Sequence, residues 1–177
     1  MGALRNAVLS GEPDKYPWFA LRIKSRFEKT TSTVLRSKGF EDFSPLYLSR
    51  RKWSDRVKEV ELPLFPGYLF CRFNPLDRFP ILSTPGVLSV VGIGKVPQLV
   101  EEHEIEQIQS ILASGMQTQP WPFLTVGQKV RISSGSLVGL EGLLVNIKNS
   151  FRLVVSVTLL QRSVAVEIDR ESVEPAS

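Results

Sequence analysis

One cysteine and one histidine set the first limits on this 177-residue chain. Cys71 alone can form no intrachain disulfide and no thiolate metal cluster. A Ser-His-Asp arrangement would have to use His103, and no supporting motif surrounds it. Glu104 and Glu106 beside it lack the second histidine of a zinc site, so His103 reads as solvent-facing. "GIGK" at Gly92 to Lys95 lacks the Walker spacing and the hydroxyl residue after lysine, and reads as a strand-ending turn. No run approaches the roughly 20 apolar residues that span a bilayer. The opening "MGALRNAVLSGEPDKYPW" is too polar and broken for a signal peptide, and residues 1–14 read as a loose tail. These absences point away from an enzyme and from the membrane. A monomeric binding protein of the reducing cytoplasm, with no cofactor and no metal, is the expectation.

What is present is ordinary in amount and uneven in placement. Hydrophobic residues make up 42% and charged residues 23%, the usual texture of a folded protein, and the length suits one domain or two small ones. The net charge of +4 hides a basic zone: from Lys15 to Glu61 there are 12 Lys/Arg against 6 Asp/Glu. Glu101, Glu102, Glu104 and Glu106 then form an acidic segment. Such an asymmetry suits a surface that meets a polyanion on one side.

Alternation in "YPWFALRIKSR" predicts a strand with Phe19, Leu21 and Ile23 on one face and Trp18 and Ala20 on the other. Ser25 and Glu28 have capping-box spacing for a helix buried through Phe27, Thr31, Val34 and Leu35 and stopped at Gly39. "FEDFSPLYLSRRKW" reads as a strand at an edge near Pro45, and it forms a hairpin with "VKEVEL". A strand over Tyr68 to Phe73 follows, then a short helix capped by Asp77, then the strand "VLSVVGIG". A helix from Glu101 to Ser114 carries Ile105, Ile108, Ile111 and Leu112 and stops at Gly115. The proline-broken segment 115–125 reads as a linker. Short β-branched runs from residue 126 to the end read as a small barrel. The expected class is therefore α+β. Residues 15–114 form a mainly antiparallel sheet with helices, and residues 126–177 form an SH3-like β-barrel.

Two stretches invite a functional reading. "ELPLFPGYLFCRF" is apolar on both sides of a proline-glycine corner. A strand with two apolar faces either sits in a three-layer core or offers one face to a partner, and both readings stand. "RRKWSDRVK" places Arg50, Arg51, Lys52, Arg56 and Lys58 around Trp53 at a hairpin tip. An aromatic among cations suits nucleic acid, and a solvated charge run that blunts an edge strand suits the pattern equally.

"WFALRIKSRFEK", "FPGY", "TPGV" and the tail "VRISSG…GLEGLLV…RLVVSVTLLQRSVAVEIDRESVEP" resemble, in this order, the NusG family of transcription elongation factors, over Tyr16 to Pro175. "RRKWSDRVKEVELPLFPGYLF" is most similar to the UpxY branch of specialised antiterminators. The resemblance implies an N-terminal α/β sandwich followed by a KOW barrel. It implies that the apolar face, here Phe65, Pro66, Gly67 and Tyr68, grips the clamp helices of the largest RNA polymerase subunit. The factor then bridges the DNA cleft and suppresses pausing or termination, while the hairpin tip touches upstream or non-template DNA. By position, Leu137, Leu140, Leu159, Leu160 and Arg162 match the family's partner-binding loops, which contact Rho or a small-subunit ribosomal protein. Here Gly135-Ser136-Leu137 and Leu160-Gln161-Arg162 lack the family's aromatic anchors, and ordinary barrel leucines are an equal reading. Some members refold the barrel into a helical hairpin. The β-branched "RLVVSVTLL" and "SVAVEI" argue for strands. The competing function is a ribosome-associated or RNA-binding KOW protein.

Overall fold

The computed structural model describes residues 16–124 and 127–176; the expected tail at 1–14 lies outside them. In chain order the elements are β1 (Trp18–Ile23), α1 (Glu28–Ser37), β2 (Asp42–Phe43), β3 (Leu46–Lys52), β4 (Val57–Pro63), β5 (Tyr68–Arg72), α2 (Phe79–Leu82), β6 (Val87–Val90), β7 (Gly92–Ile93), β8 (Val96–Pro97), β9 (Leu99–Val100), α3 (Glu102–Ala113), β10 (Thr118–Trp121), β11 (Gln128–Ile132), β12 (Glu141–Ile147), β13 (Ser150–Val157), β14 (Arg162–Ile168) and β15 (Val173–Pro175). They pack as two compact units that interleave along the sequence. One runs to Ser44 and resumes over Phe65–Glu102; the other comprises Pro45–Leu64 and the chain from His103 onward. The segment 115–125 thus falls within the second unit instead of separating the two.

The first unit is built around β1, which pairs antiparallel with β5, β6 and β9, while β2 extends the sheet beyond β5. Alternation decides the core. Phe19, Leu21 and Ile23 meet Leu69, Cys71 and Phe73 on one face, with Leu35 of α1 and Ile81 of α2 packed over them. α1 ends as its sequence dictates. Gly39 takes φ +85°, its N–H bonds the Arg36 carbonyl, and Phe40 N–H bonds that of Leu35. Phe40 then packs on the same core as Leu35.

The start of α1 differs from the capping box. Phe27 holds the cap position, and its side chain makes no capping hydrogen bond. A turn closed by Phe27 N–H to the Lys24 carbonyl, with Arg26 at φ 69°, carries Ser25 away from the helix. Glu28 instead turns its carboxylate to a distant backbone amide, that of Gly67. Along the stripe, Ser32 is buried where Val34 was expected, because its hydroxyl donates to Asp42. Arg78, not Asp77, precedes α2, and the loop before it is fixed by Asn74, whose side chain accepts from Leu76 N–H.

In the second unit β3 and β4 form a hairpin, in register from Leu46↔Pro63 to Lys52↔Val57. Six strands form an antiparallel sheet in the order β10-β14-β13-β12-β11-β15. Val130, Ile132, Leu153, Val155, Val157, Val164 and Val166 are among its buried residues. The two β-branched runs are thus β13 and β14, strands rather than helices. β10 corrects the linker reading: Thr118–Trp121 pairs with β14 along its whole length. Pro120 is tolerated because β10 is an edge strand. α3 buries Ile105, Ile108 and Ile111 and stops at Gly115 (φ +69°). Glu104 is buried too, accepting both the N–H and the hydroxyl of Thr158. Among the described residues no helix is long and apolar enough to cross a membrane.

Candidate functional site

The corner in "LFPGY" is a four-residue turn closed by Tyr68 N–H to the Phe65 carbonyl at 3.0 Å. Pro66 in the second position and Gly67 at φ +81° in the third give it type II form, which asks for a residue able to take positive φ. "TPGV" folds the same way: Val87 N–H bonds the Thr84 carbonyl, and Gly86 takes φ +91°. The two turns meet at the end of β1. Ile23 N–H donates to the Gly67 carbonyl and Lys24 N–H to the Gly86 carbonyl, both at 2.8 Å.

α1 fastens both turns from the other side. Glu28, only 8% exposed, accepts from Gly67 N–H at 3.0 Å. Thr31, one helical turn on, donates to the Pro85 carbonyl at 2.9 Å. The helix lies so close to the second turn that a Cβ on Gly86 would stand 2.2 Å from Thr31 Oγ1 and 2.9 Å from Phe27 Cβ.

The turn does not present all four of its residues. Pro66 is exposed, and Gly67 and Tyr68 are half-buried. Phe65 is 1% exposed, which corrects the expectation that its ring stands in water. Its ring packs edge-on to Phe70 at 5.4 Å between centroids, and Phe43 stacks on Phe70 at 6.1 Å. Edge-to-face packing adds about 0.5–1.5 kcal/mol to the burial of such a ring, so the aromatic side of the sheet keeps Phe65 for itself. Leu69, Cys71 and Phe73 belong to the opposite, core-facing side, as expected. Burial pushes the Cys71 thiol up to about 12, and the nearby carboxylates of Asp42 and Glu41 push the same way.

On the aromatic side the cross-strand neighbours are Trp18↔Arg72, Ala20↔Phe70 and Arg22↔Tyr68. Arg72 organises its end of the sheet. The guanidinium lies 4.4 Å over the Trp18 ring, donates to the Tyr16 carbonyl and to Glu102, and sits 3.0 Å from Glu41. Sequence reading had singled out neither Arg72 nor this role of Glu28. A lone arginine between Cys71 and Phe73 carries no local signal, and the partner of Glu28 is remote in sequence.

The basic hairpin tip is open to solvent. Trp53 and Arg56 close it by exchanging backbone hydrogen bonds, and Trp53 is 57% exposed with Lys58 Nζ 5.9 Å over its ring. Arg50, Arg51, Lys52, Arg56 and Lys58 are all exposed. The register separates them. Arg50 faces Glu59 and pairs with it at 3.2 Å, whereas Arg51 stands directly opposite Lys58. Like charges directly opposite destabilise a hairpin.

The barrel positions had two readings, partner-binding loops and ordinary interior leucines, and burial divides them. Leu137, Leu140 and Leu160 are buried and Leu159 is half-buried, while Arg162 is exposed. Leucines here fill the interior that a small barrel must fill, and the exposed apolar residue of this loop is Val138. His103 faces solvent, and Gly92 to Lys95 is strand β7 with the two-residue turn Gly94–Lys95 that leads into β8.

The fold and its motifs have known counterparts. The family pattern described as "Transcription termination factor nusG" matches residues 16–109. A transcription termination/antitermination protein NusG of Lactococcus lactis subsp. lactis (strain IL1403) is 32% identical over 136 residues, covering 73% of this chain and 72% of that protein. The Escherichia coli (strain K12) protein of the same name is 25% identical over 179 residues, covering 93% and 99%. Among solved structures, one titled "Domain interaction in Thermotoga maritima NusG" shares the fold. Its TM-score is 0.54 at 21% identity, and it covers 94% of this chain and 100% of its own. With a family match over more than half its length and relatives aligned along nearly all of it, this chain belongs to the NusG family of transcription termination and antitermination factors, which are not enzymes.

Proposed function

We propose that this chain binds RNA polymerase at the Pro66–Tyr68 corner, bridges the DNA cleft and suppresses pausing or termination. The aromatic side of the sheet behind the corner is itself closed, with Trp18, Ala20 and Phe70 each no more than 2% exposed, so the corner and not the face is the contact. The clamp helices of the largest subunit are the partner that the corner fits. The observation that carries the reading is a rigid corner at the rim of an aromatic face. Gly67 is bonded from β1 on one side and from α1 on the other, so Tyr68 loses little freedom on docking. Phe65 supports the corner from within and is not itself an anchor.

The hairpin tip supplies the nucleic-acid contact. Its Arg51/Lys58 face and the exposed Trp53 suit a phosphate backbone and an unstacked base, as upstream or non-template DNA offers. The barrel recruits further factors through Arg162, Leu159 and Val138, with Rho or a small-subunit ribosomal protein as the partners that family membership suggests. The UpxY-like specialisation rests on the hairpin and corner residues of "RRKWSDRVKEVELPLFPGYLF".

The test is binding of the full chain to core RNA polymerase. Tyr68→Ala should weaken it by about 2 kcal/mol, roughly thirtyfold, with the fold intact. Unchanged affinity in a folded Tyr68→Ala chain refutes the assignment. Selective binding to ribosomes or free RNA, with no polymerase association, would install the competing KOW-protein reading.

A further inference from the structure

Glu28 sits where a helix cap was expected and does something else. The residue is 8% exposed, and its carboxylate accepts from the amide of Gly67, 39 residues away. That amide belongs to the central peptide of the turn, the one between Pro66 and Gly67. Type I and type II turns differ by a flip of this peptide: ψ of the second residue and φ of the third both swing through more than a right angle. Proline in the second position is compatible with either form, and glycine in the third adopts either sign of φ with ease. The sequence Phe65-Pro66-Gly67-Tyr68 therefore fixes the corner without fixing its hand. Gly67 has no close neighbour on its Cβ side; the nearest atom is the Ile23 carbonyl oxygen at 3.8 Å, so packing does not select the form either. The Gly67 carbonyl is bonded to Ile23 N–H, but that carbonyl belongs to the next peptide. The Glu28 carboxylate, by contrast, bonds the central N–H and so reads its direction.

We infer that Glu28 is a positioning residue for polymerase docking, holding the Pro66–Gly67 peptide in the type II orientation from which Tyr68 projects at the rim of the aromatic face. The inference rests on the reading of Pro66–Tyr68 as the docking corner. The sister turn shows what a different fastening looks like. There Thr31 bonds the Pro85 carbonyl, the other end of the equivalent central peptide, and α1 lies so close that a Cβ on Gly86 would collide with it. α1 thus holds one turn by close packing and a hydroxyl hydrogen bond, and the other by a carboxylate hydrogen bond without such packing. Such a bond to an ionised acceptor is among the stronger ones available to a backbone amide.

The experiment compares Glu28→Ala, Glu28→Gln, Tyr68→Ala and Glu28→Ala/Tyr68→Ala full-length chains. Affinity for core RNA polymerase is measured at a temperature where circular dichroism shows each chain folded. The Gly67 amide is followed by its NMR shift and exchange protection. Glu28→Ala should lose protection at Gly67 and bind roughly tenfold more weakly, because only a fraction of chains then hold the docking form. Glu28→Gln keeps an acceptor oxygen and should stay within about twofold of the parent. Because Glu28 acts through Tyr68, its removal should add little in the Tyr68→Ala background. If Gly67 loses protection, Tyr68→Ala weakens binding and Glu28→Ala does not, the docking corner stands and the positioning role falls. An undiminished Glu28→Ala effect in the double variant also overturns it, placing Glu28's influence elsewhere. A Tyr68→Ala chain that binds as the parent does removes both.

Discussion

Replacing Gly86 by alanine should cost about 2–6 kcal/mol of folding stability, and the parts of that figure are visible in the structure. Gly86 has φ +91°, where an L side chain brings roughly 1–2 kcal/mol of strain. The new Cβ would lie 2.2 Å from Thr31 Oγ1 and 2.9 Å from Phe27 Cβ. Forcing such a contact in a packed interior costs about 1–3 kcal/mol. The Thr31 hydroxyl, fully buried, must swing off the Pro85 carbonyl, which leaves it unsatisfied and adds about 1 kcal/mol. Stiffening of the unfolded chain offsets about 0.4–1 kcal/mol of the total. Gly39 provides the control. Its φ is +85°, yet nothing stands within 4 Å of its would-be Cβ, so Gly39→Ala should cost only the strain, about 1 kcal/mol net. Urea unfolding would be followed by Trp18 fluorescence, with Trp53 and Trp121 replaced by phenylalanine so that only the first unit reports. If Gly86→Ala falls within about 0.5 kcal/mol of Gly39→Ala, the claim that α1 is pressed against this turn is wrong.

Arg51→Glu should stabilise the hairpin by about 0.2–1 kcal/mol, since a like pair with Lys58 becomes an opposite one. The same change should weaken DNA binding and lower its salt slope by about 0.9; a variant with unaltered DNA affinity would remove Arg51 from the interface. Cys71 should resist thiol reagents at pH 8 while the chain is folded and react on unfolding. Its folded pKa of about 12 lies above the ordinary 9.0, so its stabilising contribution is complete below pH 9 and declines as pH rises from about 9 to about 12. A native thiol that titrates near 9 contradicts this. Leu160→Ala should destabilise the barrel by about 2–3 kcal/mol, the cost of a vacated core position. Loss of a binding partner without loss of stability would show that Leu160 serves the surface after all.

The sequence made some of this structure plain because the deciding forces were local. The alternation of β1, the Gly39 stop of α1, the hairpin register around Trp53 and the isoleucine stripe of α3 each follow from periodicity or from one residue's backbone freedom. Ser25 and Glu28 had the right spacing for a cap and lost to a tertiary competitor, a buried amide in a turn 39 residues away. Phe65 was read outward because its ring partners, Phe70 and Phe43, come into reach only when β5 and β2 pair. Pro120 marked a break, and an edge strand accommodates the same proline. Glu104 belongs to an acidic segment of the sequence, yet it is buried and accepts from the backbone and hydroxyl of Thr158. In each miss the deciding atom was far along the chain.

β10 has a practical consequence for anyone cutting this protein in two. A C-terminal fragment begun at Gly127 would strip Thr118–Trp121 from β14 and leave Ser163–Val166 as a bare, valine-rich border. Borders of that kind recruit strands from other molecules, so the short fragment should self-associate in proportion to its concentration. Begun at Met116, the fragment keeps its own proline-bearing selvedge and should stay monodisperse.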